Sequence, residues 1–392
     1  MKSRWPWKPL GEVCKTGSGG TPLSSRKEYY KDGHIPWLVS GEVAQGNVRE
    51  AKNFITKAGL ENSAAKLFPK DTVLVAMYGA TAGQVGILRF EAATNQAVCG
   101  IFPNDKFVAE FLFYFLLAKK DELVAQATGN AQPNISQIKI KNTEVPVPPL
   151  AEQQRIVGLL DEAFEGLATA KANAERNLQN ARALFESHLQ SVFTQRGPGW
   201  VERQVSEIAK HSLGKMLDKA KNKGEPQPYL RNINVRWFAF DLSDLLEMPF
   251  LATEAEKYTA VKGDVLICEG GYPGRSAIWD EDYPVYFQKA LHRVRFREPE
   301  LNKWFVYFLN VQDSTGHLKQ HFSGTGIQHF TGEALARFKI PVPPSTELRR
   351  AVAKFDVLAE ETQRLTQIYE RKLAALDELK KSLLHQAFSG AL

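Results

Sequence analysis

The segment Val145-Pro146-Val147-Pro148-Pro149-Leu150 returns later in the chain as Ile340-Pro341-Val342-Pro343-Pro344-Ser345. The two copies are 195 residues apart (340 − 145 = 195), and the same shift relates Phe193 to Phe388. Proline cannot continue a preceding helix and keeps the chain extended, so each copy marks the start of a new element. A repeat of this length predicts two equivalent halves.

A long run without proline follows each copy, and its apolar residues recur at alternating steps of three and four. This spacing predicts the narrow apolar seam of a coiled coil, in a helix of about 45 residues and roughly 70 Å. The predicted seam residues are Val157, Leu160, Phe164, Leu167, Ala174, Leu178, Ala181, Phe185 and Val192, then Val352, Phe355, Ala359, Tyr369, Leu373, Leu376, Leu383 and Ala387. Polar residues also fall on the seam, namely Lys171, His188, Thr362, Thr366 and Lys380. The alternative is a pair of ordinary buried helices in a bundle.

The blocks before the helices repeat as well. Predicted strands at 72–76 and 264–267 are each followed by a glycine-rich loop, and aromatic runs near 111–118 and 304–309 predict buried helices. We therefore expect an α+β fold in which two mixed α/β blocks are separated by two long antiparallel coiled-coil helices, with an internal pseudo-two-fold repeat. The expected boundaries are 1–149 for block one, 150–196 for helix one, 197–344 for block two and 345–392 for helix two.

Length and composition indicate the number of domains and the cellular compartment. At 392 residues, two or three domains are expected. The longest apolar run, 111–118, is too short to cross a bilayer, so no membrane association is expected. Cys14, Cys99 and Cys268 are far apart and form no CxxC motif, which is typical of free thiols in a reducing compartment. These features predict a cytoplasmic protein.

The net charge of +6 lies entirely in the two blocks. Residues 1–149 contain 18 basic and 13 acidic residues, and residues 197–344 contain 19 and 18, which gives +5 and +1. The two helical segments carry 13 basic and 13 acidic residues together, which gives zero. A modest basic bias in the blocks is compatible with nucleic-acid binding.

Motifs that would indicate catalysis are missing from the sequence. There is no GxxxxGK[ST] phosphate loop, no [ND]PP[YF] tetrapeptide of adenine methyltransferases and no HExxH zinc motif. Asp264 and Glu269 resemble part of a nuclease motif, but no lysine follows at the expected spacing. We therefore expect no catalytic site, no metal site and no cofactor in this chain.

Polar and basic residues suited to DNA recognition are instead grouped in both blocks. Lysine and arginine neutralise phosphates, and arginine, asparagine and glutamine can form paired hydrogen bonds with base edges. The predicted DNA-binding residues are Thr21, Tyr78, Thr81, Gln84, Asn95, Gln96, Asn130 and Asn134 in block one, and Lys215, Arg231, Asn232, Arg236, Arg275, Gln288, Lys289, His292 and Arg293 in block two. A solvated basic face with loop-capping amides is the alternative.

The whole chain resembles the specificity (S) subunits of type I restriction-modification systems. The resemblance rests on the two Pro-Val-Pro-Pro segments, the run Glu152-Gln153-Gln154-Arg155, the long helices and the early loop Gly19-Gly20-Thr21-Pro22. The second copy departs from this pattern, because Ser345-Thr346-Glu347-Leu348-Arg349-Arg350 lacks the Glu-Gln-Gln run.

This resemblance implies a sequence-specific subunit that binds double-stranded DNA and catalyses nothing itself. Each block would be a target recognition domain for one half of a bipartite, asymmetric DNA site, and the coiled coil would set the spacer. Two methyltransferase subunits carrying S-adenosylmethionine would dock on the helices and their junctions, and restriction subunits would add ATP- and Mg²⁺-dependent cleavage. The implied docking residues are Pro148, Pro149, Glu152, Gln153, Arg155, Pro343, Pro344, Glu347 and Arg350.

Two alternatives remain open at this point. One is a non-catalytic scaffold whose blocks bind proteins, and the other is a stand-alone DNA endonuclease.

Overall fold

The computed structural model describes residues 5–127, 134–218, 220 and 222–392. The chain divides into two compact units, one formed by Met1–Glu175 with Arg371–Leu392 and the other by Arg176–Glu370. Each long helix therefore begins in one unit and ends in the other.

Unit 1 contains short strands, short helices and parts of both long helices. Its elements are β1 (Trp7–Pro9), α1 (Leu10–Val13), β2 (Thr16–Ser18), β3 (Ile35–Leu38), β4 (Asn47–Val48), β5 (Asn53–Ile55), α2 (Lys57–Glu61), β6 (Leu67–Phe68), β7 (Val73–Ala76), β8 (Val85–Leu88), β9 (Ala92–Thr94), β10 (Val98–Ile101), α3 (Ala109–Ala118), α4 (Lys120–Ala125), α5 (Gln137–Lys141), β11 (Glu144–Pro146) and the first part of α6 (Leu150–Thr194).

Unit 2 repeats much of this order. Its elements are β12 (Val201–Gln204), α7 (Val205–Ile208), β13 (Ala209–Leu213), β14 (Glu225–Leu230), β15 (Val235–Arg236), β16 (Ala239–Phe240), β17 (Leu246–Phe250), α8 (Ala255–Tyr258), β18 (Thr259–Ala260), β19 (Val265–Cys268), β20 (Ser276–Ile278), β21 (Val285–Phe287), β22 (Leu291–Phe296), α9 (Glu300–Ser314), α10 (Gly332–Arg337), β23 (Lys339–Val342) and the first part of α11 (Ser345–Ser389).

The sheets of the two units have matching strand orders. One sheet runs β2-β10-β7-β8-β4 in unit 1 and β13-β22-β19-β20 in unit 2. A second sheet runs β5-β3-β9-β6 in unit 1 and β17-β14-β21-β18 in unit 2, with a parallel pair at its centre in both units. A two-stranded sheet, β1-β11 or β12-β23, joins the start of each block to the proline segment. The predicted strands and aromatic helices are confirmed in both units.

The central strand of each larger sheet is buried on both of its faces. In β19, Val265 and Ile267 pack into one core cluster, while Leu266 and Cys268 pack into another. The equivalent strand β7 divides its residues between two clusters in the same way. Because both faces are covered, these strands are continuous apolar runs rather than alternating ones.

The long helices pair antiparallel within each unit. In unit 1 the Arg155 guanidinium donates to the Leu392 carbonyl at 3.0 Å, and the Lys171 ammonium donates to Asp377 at 2.9 Å. In unit 2 Arg182 donates to Glu370 at 3.2 Å, and the ring centroids of Phe193 and Phe355 lie 5.9 Å apart, so later residues of α6 meet earlier residues of α11. The predicted seam residues are buried or half-buried throughout. Of the polar residues on the seam, Lys171 has its carboxylate partner and the Lys380 ammonium lies 5.1 Å from the centre of the Phe164 ring.

More residues are buried at the helix ends than the seam pattern predicts, because the helix ends also pack against the blocks. Ile156, Leu189, Phe193, Leu384 and Phe388 are buried but are not seam positions in the sequence pattern. In unit 1 the ring of Phe388, near the end of α11, lies edge-on to Phe111 and Phe115 of α3. In unit 2 the ring of Phe193, near the end of α6, contacts Trp304 and Phe308 of α9.

In each unit, a tyrosine of the aromatic helix (α3 in unit 1, α9 in unit 2) binds the long helix that starts in that unit. The Tyr114 hydroxyl donates to Asp161 at the start of α6, and the Tyr307 hydroxyl donates to Asp356 at the start of α11 at 2.8 Å. Burial and the neighbouring carboxylate raise the pKa of both tyrosines, so both remain donors. Each block is therefore fastened to the beginning of one long helix and to the end of the other. Among the helices in the described ranges, none has the length and apolar character needed to span a membrane.

Candidate nucleic-acid interface

One end of the larger sheet in unit 1 collects four loops. β2 and β7 end there, and β8 and β10 begin there. The loops are joined by backbone hydrogen bonds from Gly20 to Thr94 (2.8 Å), from Met77 to Ala97 (2.7 Å) and from Ile135 to Met77 (2.8 Å). We name residues 19–22, 77–84, 94–97 and 134–136 the first loop surface. It contains no charged residue.

Most DNA-binding residues predicted in block one lie on the first loop surface. The Thr21 hydroxyl donates to Gln96 Oε1, which joins two of the loops through exposed side chains. Tyr78 is exposed and its backbone pairs with that of Asn134. Thr81, Gln84 and Asn95 are half-buried, and Asn95 Oδ1 accepts the Ala97 amide of the same loop at 3.2 Å. The predicted residue Asn130 lies outside the described residues.

The equivalent end of the sheet in unit 2 has the same construction. Backbone hydrogen bonds run from Gly214 to Leu291 (3.0 Å), from Lys289 to Lys215 (2.8 Å) and from Glu269 to Ala290 (2.8 Å). We name residues 214–218, 231–236, 269–275, 287–290 and 323–329 the second loop surface, excluding residue 219, which is not described.

A glycine at the same repeat position allows each loop to turn closely over its neighbour. A Cβ atom on Gly19 would overlap the Thr94 carbonyl, and a Cβ atom on Gly214 would overlap the Gln288 carbonyl. These two glycines are 195 residues apart in the repeat. The close approach leaves no room for a side chain, so both positions need glycine for packing.

The second loop surface is more basic than the first. Lys289 is exposed, and Gln288 beside it is half-buried. Arg231 is paired with Asp244 and Arg236 with Asp241, so the charges of these two arginines are partly compensated.

Arg275 and Asn232 link neighbouring loops of this surface. Arg275 donates to the Asn232 carbonyl at 2.9 Å, and its guanidinium carbon lies 4.3 Å from the centre of the Tyr272 ring. The Asn232 amide in turn donates to the Gly270 carbonyl at 3.1 Å. Sequence reasoning missed three residues of this surface, Tyr272, Ile327 and His329, because no repeated motif marks them.

Three residues predicted to bind DNA are buried in the folded chain. Lys215 is 7 % exposed, donates to the Pro249 carbonyl at 2.9 Å and pairs with Glu254 at 2.6 Å. Arg293 donates to the carbonyls of Glu256 and Thr259 at 3.0 and 2.6 Å. His292 lies beside Arg293 on β22, which is covered on both faces. The prediction of DNA contact is therefore corrected for these three, because all are buried and the charged groups of Lys215 and Arg293 already donate to backbone carbonyls.

Burial lowers the pKa of His292 to about 4, and the nearby His211 adds to this effect. The unfolded chain binds a proton near pH 6.5, whereas the folded chain resists protonation until about pH 4. Stability is therefore fully present above pH 6.5 and is lost as the pH falls towards 4, by up to about 3 kcal/mol.

We expect His292→Gln to be less stable than wild type at pH 7.5 but to lose less stability between pH 7.5 and 4.5. Urea unfolding at both pH values measures this difference. An equal loss of stability with pH in both proteins would show that His292 does not carry the acid sensitivity.

The residues predicted to dock partners differ in accessibility. Pro149, Pro344, Arg155 and Arg350 are exposed, whereas Pro148 and Pro343 are buried. Glu152 and Glu347 are half-buried. Glu152 pairs with Arg155 at 2.8 Å, and Glu347 accepts the Trp200 indole N–H at 3.2 Å.

Gln153 is corrected as a docking residue, because its side chain is fully buried. Its amide donates to the carbonyls of Lys106 and Pro148 at 2.8 and 2.9 Å, and its Oε1 accepts the Val108 amide at 2.9 Å. Gln153 thus fastens the start of α6 to the chain before α3. The buried Leu348 takes its place in the second copy, where packing replaces these hydrogen bonds.

The resemblance of Asp264 and Glu269 to a nuclease motif is not supported by the geometry. Asp264 precedes β19 and Glu269 follows it, so they lie at opposite ends of the strand. Both carboxylate oxygens of Asp264 accept from Arg295, at 2.7 and 2.6 Å. In the part of the chain that the structure describes, no three His, Cys, Asp or Glu residues group closely enough to hold a metal ion.

Comparison with known proteins decides the family. A model of the type I restriction modification DNA specificity domain matches twice, at residues 2–176 and 198–372. The chain belongs to this family. The resemblance seen in the sequence is therefore confirmed, and each match contains one of the two loop surfaces.

Several curated specificity subunits are similar in sequence. That of EcoR124I/EcoR124II from Escherichia coli is 27% identical over 40% of this chain and 40% of its own length. That of MjaIX from Methanocaldococcus jannaschii is 29% identical over 47% and 43%. These two alignments thus span less than half of each relative. The EcoKI specificity subunit of Escherichia coli K12 aligns over 99% of this chain and 89% of its own, at 21% identity.

Solved structures confirm the fold. A chain from a study of complex assembly and conformational transition of a type I R-M system matches with a TM-score of 0.81 and 21% identity, over 100% of this chain and 99% of the other. The HsdS subunit from Thermoanaerobacter tengcongensis matches with a TM-score of 0.64 and 20% identity, over 100% and 98%. The predicted class of two mixed α/β domains with long antiparallel coiled-coil helices is confirmed.

Proposed function

We propose that this protein is the DNA-specificity subunit of a type I restriction-modification complex, without a catalytic site of its own. The observation that carries the proposal is the pair of equivalent loop surfaces, each at the same end of the same sheet and each within one matched specificity domain. Each surface would contact one half of a bipartite, asymmetric target in double-stranded DNA.

We assign residues 1–149 and 197–344 as the two target recognition domains. Their DNA-contacting residues are those on the loop surfaces, namely Thr21, Tyr78, Thr81, Gln84, Asn95, Gln96 and Asn134, then Arg231, Asn232, Arg236, Arg275, Gln288 and Lys289. Exposed amides and hydroxyls suit base edges, and exposed cations suit phosphates.

The segments 150–196 and 345–392 are assigned to spacing and to docking. Two methyltransferase subunits would contact the helices and the exposed junction residues Pro149, Arg155, Pro344 and Arg350. These subunits would bring S-adenosylmethionine, and the restriction subunits would bring the ATP- and Mg²⁺-dependent activity. The target adenine would be flipped out of the duplex into the methyltransferase.

Exchange of residues 1–149 for the matching domain of another specificity subunit tests the assignment. Methylome sequencing of a host carrying the chimera should show one altered half-site and one retained half-site. A target with both halves changed, or with neither changed, would contradict modular recognition. Unchanged adenine methylation after deletion of the gene would refute the function itself.

Two further assays separate the alternatives. A protein-binding scaffold would show no sequence-specific gel shift at a salt concentration that suppresses phosphate-only binding. A stand-alone endonuclease would nick plasmid DNA when the purified chain is incubated with Mg²⁺.

The difference in charge between the surfaces gives a quantitative prediction. Lys289 and Gln96 occupy matching positions 193 residues apart, one cationic and one neutral, and both are exposed. We expect Lys289→Ala to reduce the slope of log K against log salt by about one, because one phosphate contact is lost. Gln96→Ala is the matched control and should keep the slope while weakening discrimination at its half-site by about 1–3 kcal/mol. Equal slopes for wild type and Lys289→Ala would exclude a phosphate contact at Lys289.

A further inference from the structure

Ile327 is 73 % exposed, more than any other large apolar side chain in the described ranges. It belongs to the turn between Ser323 and His329, whose backbones exchange hydrogen bonds of 2.9 and 2.8 Å. Gly324 has a φ of +106°, and a Cβ atom there would overlap the Ile327 carbonyl. The turn is therefore a tight loop closed by one backbone bridge, and it presents Ile327 to solvent.

The 323–329 loop is attached to the loop that follows the central strand of unit 2. The His329 backbone pairs with that of Gly270, and the Phe330 amide donates to the Glu269 carbonyl at 2.7 Å. Phe330 itself is fully buried and anchors the 323–329 loop in the core. The attached loop carries Tyr272, which is 66 % exposed. Two exposed apolar groups thus stand on neighbouring loops of the second loop surface.

Cations accompany these apolar groups. Arg275 lies against the Tyr272 ring, and the exposed Lys289 lies on the adjoining loop. An apolar tip with cations beside it matches the profile of a DNA groove, where bases lie at the floor and phosphates along the rims. An aliphatic side chain favours the major groove, because thymine exposes its C5-methyl group there, whereas base pairs present hydrogen-bonding atoms in the minor groove.

We propose that Ile327, supported by Tyr272, makes apolar contact with thymine C5-methyl groups in the major groove of the half-site bound by residues 197–344. The C5-methyl is the apolar group that bases expose in the major groove, and an aliphatic side chain is its natural partner. This proposal rests on the proposed function and adds to it a specificity-determining residue that does not act through hydrogen bonds.

The test uses the complex of the full chain with its methyltransferase subunits and a DNA duplex carrying the target site. We expect Ile327→Ala to weaken specific binding by about tenfold or more, with an unchanged salt slope, because no charge is removed. Val261→Ala is the matched control, since Val261 is an exposed apolar residue that precedes β19, at the end of the strand away from the second loop surface.

A second DNA carries deoxyuridine in place of the thymines of that half-site, which removes only the C5-methyl groups. Wild type should lose about fourfold in affinity for each methyl group contacted, whereas Ile327→Ala should lose less than twofold. If Ile327→Ala binds like wild type, or keeps the full deoxyuridine penalty, the proposal is overturned.

A 2-aminopurine fluorescence enhancement beside the contacted step that wild type shows and Ile327→Ala loses would indicate unstacking by an Ile327 wedge in the minor groove, and would also overturn the proposal, because flipping of the target adenine is common to both proteins. If wild type binds no discontinuous site at all, the proposed function fails. This outcome differs from a failure of the Ile327 proposal, in which wild type still binds its site.

Discussion

Deletion of residues 165–171 from α6 alone is expected to abolish specific DNA binding, whereas the same deletion combined with removal of residues 377–383 from α11 should restore it. The two segments face each other in unit 1, because Lys171 pairs with Asp377 and Lys380 lies over Phe164. Seven residues are two helical turns, so the apolar seam keeps its phase after either deletion.

The single deletion fails because both long helices must fit the same pair of attachment points. α6 is attached near its start through Asp161, which accepts from Tyr114, and near its end through Phe193, which packs against Trp304. α11 is attached near its start through Asp356, which accepts from Tyr307, and near its end through Phe388, which packs against Phe111. Shortening α6 by about 10 Å while α11 keeps its length pulls one aromatic anchor out of its core. Loss of one such anchor costs about 3–5 kcal/mol, a large part of the stability of a domain.

The paired deletion carries a second expected result. If the helices set the spacer, a shortening of about 10 Å should move the two half-sites together by about three base pairs. Methylome sequencing of a host that expresses the paired variant would read the new spacer directly. A single-deletion variant that methylates the original target at the wild-type level would refute the requirement for equal helix lengths. A stable paired variant with an unchanged spacer would refute the spacing role alone.

The long helices were predictable because the repeat and the seam give independent evidence for them. The predicted segment 150–196 is observed as Leu150–Thr194, and 345–392 as Ser345–Ser389. The anchors at the helix ends were not predictable in the same way. Phe193 and Phe388 stand out in the sequence only as a repeated pair, and the seam pattern describes contact with another helix rather than with a block.

The candidate surfaces were predicted unequally. In block one, the loops after β7 and before β10 are short and polar, and the structure brings Tyr78, Thr81, Gln84 and Gln96 to one sheet end. In block two, His292 and Arg293 lie on a strand covered by two cores, so their polarity gives no indication of exposure. The exposure of Gln153 was equally hard to predict, because glutamine occurs both at exposed helix starts and at buried positions where it hydrogen-bonds to the backbone. Whether such a polar side chain is buried or exposed depends on hydrogen-bond partners that are distant in the sequence, and the sequence alone does not identify these partners.

Phe388→Ala is expected to destabilise the first recognition domain, although residue 388 is far from that domain in the sequence. The ring is 6 % exposed and contacts Phe111 and Phe115 edge-on, with centroid distances of 5.3 Å in both pairs. Truncation to alanine leaves a cavity between α3 and α11, which costs about 3–5 kcal/mol. Hydrogen exchange should therefore accelerate in Ala109–Ala118, the range of α3.

Phe193→Ala provides the matched experiment in unit 2. Phe193 is 4 % exposed and contacts Trp304 and Phe308, so its loss should accelerate exchange in Glu300–Ser314, the range of α9. Leu379→Ala is the control, because Leu379 is 46 % exposed on α11 and its truncation should leave exchange in both helices unchanged. The result that decides the matter is which helix exchanges faster. Phe388→Ala, late in the chain, should accelerate exchange in the first domain, and Phe193→Ala, in the middle of the chain, should accelerate it in the second. If each variant instead loosened both aromatic helices equally, the two blocks would be unfolding as one cooperative unit, and the local attachment of helix ends to opposite blocks would not govern their stability.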